Sequence, residues 1–533
     1  MSFQNPLSDR LGAGPWRRGV CGVCLAIALA AAGCTGPREW IANGFKVGPN
    51  YCPPGVAVSE NWIDADDKRI LDQPADLVAW WAQFEDPVLN ELVATAYDQN
   101  LTLREAGARI LEARMLRQVA VGNLFPQTQT MSGEYSRNKS PGDGPGTYFS
   151  NWNGSFAFAW ELDFWGRYRR AVAVADADLD ASVFDYGDVV VTLIADVAAT
   201  YVDIRTQQTQ LALVRENVAN QRETYELTER RFLAGDANDV DVQQAKSSLA
   251  QTESLVPQLE ISVRLSQNQL CLLLGMPIED ILPLLGEGEI PEVSTEIAVG
   301  IPAVVLLRRP DVRRAERNLA AQSELIGIAA SELYPHISIT GNAGVTAARL
   351  GDLFTPEASF ASIGPSFRWN ILNYGRITGN IGVQEARFQQ LLASYRQTVL
   401  VANFEAENAI KQFLGLQEVL KFRLQAAEAA DRTNELINNL LEEGDADINR
   451  VFTVQNFKTQ QEVAAALAKG QVAQSTISIY RALGGGWPSP YLGQADIGPV
   501  RPAETPETVE APAEELPSPE APLAQPDALS ALD

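Results

Sequence analysis

The residues able to do acid–base or covalent chemistry are few and scattered. His336 is the only histidine in 533 residues, and no nucleophile–base arrangement, phosphate loop or metal-ligand spacing accompanies it. Standing directly after Pro335, it falls at the start of a strand, in a wall or an interface. The five cysteines are Cys21, Cys24, Cys34, Cys52 and Cys271, and no redox or zinc spacing joins them, so neither a metal nor a cofactor is expected. Two acidic knots stand out instead. Asp236, Asp239 and Asp241 follow Gly235, and Glu442, Glu443, Asp445 and Asp447 surround Gly444. Multiplied by symmetry around a constriction, such carboxylates form rings that favour cations. Asp and Asn also cap helices and open turns, and that plainer use fits Asp236 and Asp445 equally well.

Cys34 has a chemistry of its own written ahead of it. Arg10, Arg17 and Arg18 form a positive region, and residues 19–33 form an almost uncharged apolar run too short to span a bilayer. The run ends Ala31-Ala32-Gly33-Cys34, which resembles a bacterial lipobox: cleavage before the cysteine, then a diacylglycerol on its thiol. Ala31 stands where leucine is commoner. Cys21 follows almost no apolar run and Cys24 follows a valine, so both fit less well; an ordinary secretion signal with an incidental Cys34 is the rival reading. More than one acyl chain would make the anchor stable. Beyond it, Cys52 and Cys271 read as free thiols. No other apolar run is long enough to cross a membrane as a helix, so any crossing must use strands. With 42 basic and 67 acidic residues the chain carries −25, which argues against a nucleic-acid partner.

The elements that would position these residues are written twice. The segment at 160–167 (Trp-Glu-Leu-Asp-Phe-Trp-Gly-Arg) returns at 369–376 (Trp-Asn-Ile-Leu-Asn-Tyr-Gly-Arg), an offset of 369 − 160 = 209. The same offset relates Arg104 to Arg313, Phe125-Pro126 to Tyr334-Pro335, Gly235-Asp236-Ala237 to Gly444-Asp445-Ala446, and Leu274-Gly275 to Leu483-Gly484. Each copy opens with a helix, 101–123 in the first, ended by Phe125-Pro126 because proline cannot continue the ladder. Two strand-like stretches follow around a Gly/Pro/Asn/Ser-rich loop at 140–151. Then 167–233 runs 67 residues with no breaker but Gly187, roughly 100 Å of helix at about 1.5 Å per residue. A turn at Gly235 reverses the chain into a return helix that Pro257 should kink. The second rod spans 376–441.

The strands alternate. Phe156, Phe158, Trp160, Leu162 and Phe164 share one face, against Ser155, Ala157, Ala159, Glu161 and Asp163 on the other. In the second copy Ile337, Ile339, Phe367 and Trp369 read as apolar-side positions; residues 127–136 alternate less clearly. A half-buried sheet on a soluble core gives the same alternation. Runs of about 10 residues suit a tilted membrane strand, however, and the aromatic ends suit an interfacial girdle. Four strands cannot close a barrel, and open edges are not tolerated in hydrocarbon, so several chains must then share one.

Several stretches together resemble the outer-membrane factor family, the TolC-like channels, in its lipoprotein (NodT-type) efflux branch. They are Val47-Gly-Pro-Asn-Tyr51, Trp80-Trp81 with 84–89 (Phe-Glu-Asp-Pro-Val-Leu), Asn100-Leu-Thr-Leu103, 160–167, 309–316 (Arg-Pro-Asp-Val-Arg-Arg-Ala-Glu), Leu333-Tyr-Pro335 and Asn373-Tyr-Gly-Arg376. The resemblance implies an α+β membrane protein: a homotrimer whose four strands per chain make one 12-stranded β-barrel, continuous with a long periplasmic α-helical barrel. It implies a passive duct in the outer membrane of a Gram-negative bacterium, lipid-anchored, bedded in outer-membrane lipid, and joined through a periplasmic adaptor to a proton-driven inner-membrane transporter. A duct for protein secretion, or a periplasmic coiled-coil scaffold, are the alternatives; an enzyme is the weakest. Members often carry Val-Asp-Val-Leu-Asp-Ala after the first turn. Here 240–245 keeps one acid of the two, and 449–454 has none and Arg450 instead, which leads to the expectation that Arg450 pairs with an acid of a neighbouring turn. The expected divisions are a signal at 1–33, a lipidated segment at 34–99, repeats at 100–290 and 291–487, and an acidic, Pro-rich, disordered tail at 488–533.

Overall fold

The computed structural model describes residues 37–487 except 56–57, 60, 72, 74–76, 141–145, 287, 301 and 444–446. The expected signal segment, Cys34, Asp445 and the tail lie outside the described residues.

A short helix α1 (Pro37–Ala42), a two-residue strand β1 (Ile70–Leu71) and a 3-10 turn (Trp80–Phe84) lead into helix α2 (Pro87–Gln99). Asp86 starts α2 by accepting from the Val88 and Leu89 amides, with Pro87 at the first position, where no amide partner is needed. Asn100 then caps helix α3 (Leu101–Gly122). Beyond Pro126 come strands β2 (Thr128–Ser140) and β3 (Thr147–Leu162), both longer than their alternation alone marks.

Helix α4 (Arg167–Ala234) runs 68 residues unbroken. Gly187 does not bend it: a Cβ there would lie 2.8 Å from the Trp487 ring, so the glycine admits a neighbour. Gly235, at φ 86°, ends the helix in the left-handed region. The return arm is two helices, α5 (Asp239–Glu253) and α6 (Leu255–Leu274). The break falls at Ser254, which puts Pro257 in the first turn of α6, where its missing amide costs little. Short pieces α7 (Leu282–Leu285), β4 (Ile297–Ala298) and α8 (Pro302–Leu306) then lead to the second copy. It comprises α9 (Pro310–Ser331), β5 (His336–Ala347), β6 (Ser359–Arg368), α10 (Arg376–Glu442) and α11 (Ile448–Ala482). Ala466 stands where the offset would put Pro257, and α11 is correspondingly unbroken.

The offset of 209 is repeated in the bonds themselves. Trp160 Nε1 donates to the Leu124 carbonyl at 3.1 Å, and Trp369 Nε1 to that of Leu333 at 2.9 Å. Asn100 Nδ2 donates to the Leu273 carbonyl at 2.8 Å, and Arg309, its counterpart, to that of Ala482 at 2.7 Å. Gly275 and Gly484 both sit at φ 71°. Different side chains thus close the same joints.

One antiparallel sheet holds β2-β3-β5-β6 in that order, and β1 pairs β4 in parallel. The main core gathers where these small pieces meet the four long-helix arms: Trp80, Leu89 and Leu92 pack with Val190–Ile204 of α4, Leu270 of α6, Phe413 of α10 and Tyr480 of α11. Trp80 stacks on Tyr480 with ring centroids 5.3 Å apart.

Candidate functional site: channel wall and mouth

The strand registers sort the sheet into two faces. Met131 lies opposite Phe156, Phe156 opposite Ala343, and Ala343 opposite Ala361. The next rows up one side read Phe158, Gly341 and Ile363, then Trp160, Ile339 and Pro365, then Leu162, Ile337 and Phe367. Because paired residues point the same way, these rows form an apolar face, interrupted on β2 by Gln129 opposite Phe158. The other carries Thr130, Ser132, Glu134, Ser155, Glu161, Ser338, Thr340, Asn342, Ser362 and Ser366. Phe164 and Trp369, expected in the strands, lie just past their ends.

The two copies differ in the register of β2. Pairs in β2–β3 sum to 287 (Met131 with Phe156) and in β5–β6 to 704 (Ile339 with Pro365). An undisturbed repeat would give 704 − 418 = 286, so β2 is displaced by one residue. Gln127 absorbs the displacement. Its side chain receives the Glu161 amide at 2.7 Å and donates to the Glu161 carbonyl at 3.2 Å, the work a strand neighbour would do.

At the foot of the polar face, a charged cluster straddles the seam between the copies. His336 places Nδ1 2.8 Å from Glu161 and Nε2 3.3 Å from Glu332; Arg167 reaches the same two carboxylates at 3.4 and 3.5 Å. A carboxylate oxygen accepts from whichever ring nitrogen carries a proton, so the ring is held between the two acids. Sequence reasoning placed His336 in a wall and missed its partners, because residues at 161, 167, 332 and 336 come together only through the β3–β5 pairing.

At the far end stand the two acidic turns. Asn238 and Asp447, 209 apart, are the N-caps of α5 and α11. Asp241 completes a capping box with Asn238 and also accepts from Asn449 Nδ2 at 3.0 Å, which ties the two turns of one chain together. Asp239 receives Gln243 Nε2 at 3.3 Å. Asp236, Asp239, Glu443, Asp447 and Arg450 are exposed, Glu442 ends α10, and among the described residues Arg450 has no ion pair within its own chain. Above the turns a lysine stands among acids: Lys458 Nζ lies 2.6 Å from Asp431 and 3.6 Å from Glu462. Burial raises the Glu462 pKa against the opposing pull of Lys458.

The sequence profile described as outer membrane efflux protein matches residues 92–276 and again 301–485, two copies displaced by 301 − 92 = 209. The chain belongs to the outer membrane efflux protein family. Nodulation protein T of Rhizobium leguminosarum bv. trifolii is 29% identical over 454 residues, 84% of this chain and 96% of that protein. The pyoverdine export outer membrane protein OpmQ of Pseudomonas aeruginosa is 28% identical over 434 residues, 79% of this chain and 90% of that one. Among solved structures, the outer-membrane channel OprN matches with a TM-score of 0.77 at 32% identity, over 83% of this chain and 99% of that chain. This efflux protein thus falls in the branch containing nodulation protein T and OpmQ; it is an outer-membrane channel subunit, and the family is one of channels rather than enzymes.

Proposed function

We propose that three copies close their four-stranded sheets into one 12-stranded barrel, apolar side to lipid and polar side to a water-filled lumen, continued by the long helices as a periplasmic tube. The barrel and tube form a passive exit for small molecules, with a lipid on Cys34 as additional anchor. A periplasmic adaptor and a proton-driven inner-membrane transporter supply the cargo, as suits relatives named for pyoverdine export and efflux pumps.

The observation that carries this reading is the sheet: two-faced along its whole width, yet open at both edges, β2 and β6. The seam inside the chain supplies a template for the seam between chains. Within the chain the Phe158 ring lies over Gly341, where a Cβ would collide with it. Carried one copy onward, and corrected for the one-residue displacement of β2, Phe367 would lie over Gly133 of the next chain. In the single chain Phe367 is 75% exposed, and a Cβ on Gly133 would meet nothing nearer than 3.9 Å. The same translation turns the Trp165–Tyr334 stack, 4.5 Å between centroids, into Tyr374 against Phe125, which are 96% and 63% exposed. It also sets exposed Val383 against exposed Leu111, as Val174 packs beside Ala320 within the chain.

At the mouth, three copies would bring Asp236, Asp239, Asp241, Glu443 and Asp447 around one axis, and Arg450, which has no ion pair among the described residues of its own chain, would bridge to a neighbouring chain's acid.

Purified protein is expected to run as a β-rich oligomer in unboiled gels, to need detergent for extraction, and to conduct ions across planar bilayers. Extraction without detergent, or a monomer with no conductance, would replace this reading with the coiled-coil scaffold.

A further inference from the structure

The stretch just beyond Cys34 builds a surface that a duct by itself does not require. After α1 the chain turns through two successive left-handed residues, Gly44 at φ 63° and Phe45 at φ 60°. That conformation is costly for any residue with a Cβ. The turn is nevertheless held firmly: Arg169 donates to the Gly44 and Phe45 carbonyls at 2.6 and 2.8 Å, and Asn43 Nδ2 donates to those of Lys46 and Gly48 at 3.0 and 3.2 Å. It leaves Phe45 49% exposed beside Ile41, which is 57% exposed.

Behind them is a continuous stack of rings. Trp40 meets Phe45 at 4.8 Å, Phe164 at 5.0 Å and Trp165 at 5.5 Å, and Trp165 continues onto Tyr334. Phe164 follows the end of β3 in a tight turn, its amide donating to the Leu162 carbonyl at 2.8 Å, so the stack stands at the end of the sheet where strands give way to helices.

We propose that Trp40, Ile41 and Phe45, backed by Phe164 and Trp165, form an aromatic foot bedded in the headgroup–acyl boundary of the membrane, holding the N-terminal segment there independently of any acyl chain. Two arguments choose a lipid surface over a second copy of the chain. The stack covers the β3–β5 seam, in the middle of the strand order, whereas a second copy would join at the β2 or β6 edge. And its composition, indole rings with Phe and Ile at their edge, is that of residues which settle at the interface. The proposal rests on the apolar face pointing to lipid.

The test is a nitroxide on Ile41→Cys in full-length protein reconstituted into phosphatidylcholine vesicles. The background is Cys21→Ser, Cys24→Ser and Cys52→Ser, because Cys34→Ala removes the cleavage that would discard residues 1–33; Cys271 is buried. Labels at Met131→Cys, on the apolar face, and at Asp98→Cys, an exposed position near the end of α2, serve as references. Oxygen is expected to relax the label at 41 several-fold more than an aqueous nickel chelate does, as at 131 and opposite to 98, with and without Cys34→Ala. Nickel access at 41 equal to that at 98, while 131 stays lipid-like, overturns the foot alone. Lipid-like behaviour that disappears with Cys34→Ala overturns its independence from acylation. Nickel access at 131 as well overturns the outward face, and the foot with it.

Discussion

Gly275 shows at the residue scale how little room the joints of each copy leave. It closes α6 at φ 71°, and a Cβ there would sit 2.6 Å from the Gln99 carbonyl oxygen. Gly235 has a similar φ of 86° but open space around it. Both pay for an alanine in backbone strain, about 1–3 kcal/mol; only Gly275 adds a collision with backbone. Gly275→Ala is therefore expected to lower the thermal midpoint of the helical signal well beyond Gly235→Ala, and equal shifts would contradict the close approach. Arg450 is the other informative residue. With no partner in its own chain among the described residues, it is available to a neighbour's acid at the mouth. Arg450→Ala is expected to raise single-channel conductance and the uptake of bulky antibiotics; unchanged values would remove it from the gate.

At the scale of elements, long helices and their ends were readable because glycine, proline and the 3.6-residue period are local signals. Rods expected at 167–233 and 376–441 run Arg167–Ala234 and Arg376–Glu442. Pro257 announced a break, and only the position, Ser254, needed the structure. What could not be read depends on pairing. One such feature is the one-residue slip of β2, which Gln127 accommodates against Glu161, a contact 34 residues away. Asn100 and Arg309 make equivalent bonds with unlike side chains, which no comparison of the two copies residue by residue would match. The lysine among acids gives an element-scale test. Lys458→Met leaves Asp431 and Glu462 facing one another without a cation. Since the folded pKa of Glu462 is raised, its contribution is present at low pH and lost as pH rises through that value. The variant is thus expected to melt earlier than wild type at pH 7 and to recover most of the difference near about pH 4, in the ordinary carboxylate range. A deficit independent of pH would mean that lost packing, not charge, is responsible.

Across the whole molecule, the duplication does more than lengthen the chain. In the proposed trimer it would let one kind of seam be used twice, once inside the chain and once between chains, with different chemistry at each. Inside, Glu161, Arg167, Glu332 and His336 form a charged knot. Between chains, the residues at the same offset are Asn370, Arg376, Asn123 and Gln127, three amides and one arginine, so in the proposed trimer the two kinds of seam would differ in charge. The measurement that tests this most directly is disulfide formation across the predicted junction of β6 and β2. Translating the β3–β5 register sets Arg368 opposite Ser132 of the next chain, at a spacing of about 4.5–5.5 Å between Cα atoms that suits a disulfide. In a Cys52→Ser background, Ser132→Cys with Arg368→Cys is expected to give covalently linked dimers and trimers on mild oxidation. Ser132→Cys with Phe367→Cys, one residue out of register, should give few. Equal cross-linking by both pairs, or none by the first, would contradict the repeated seam.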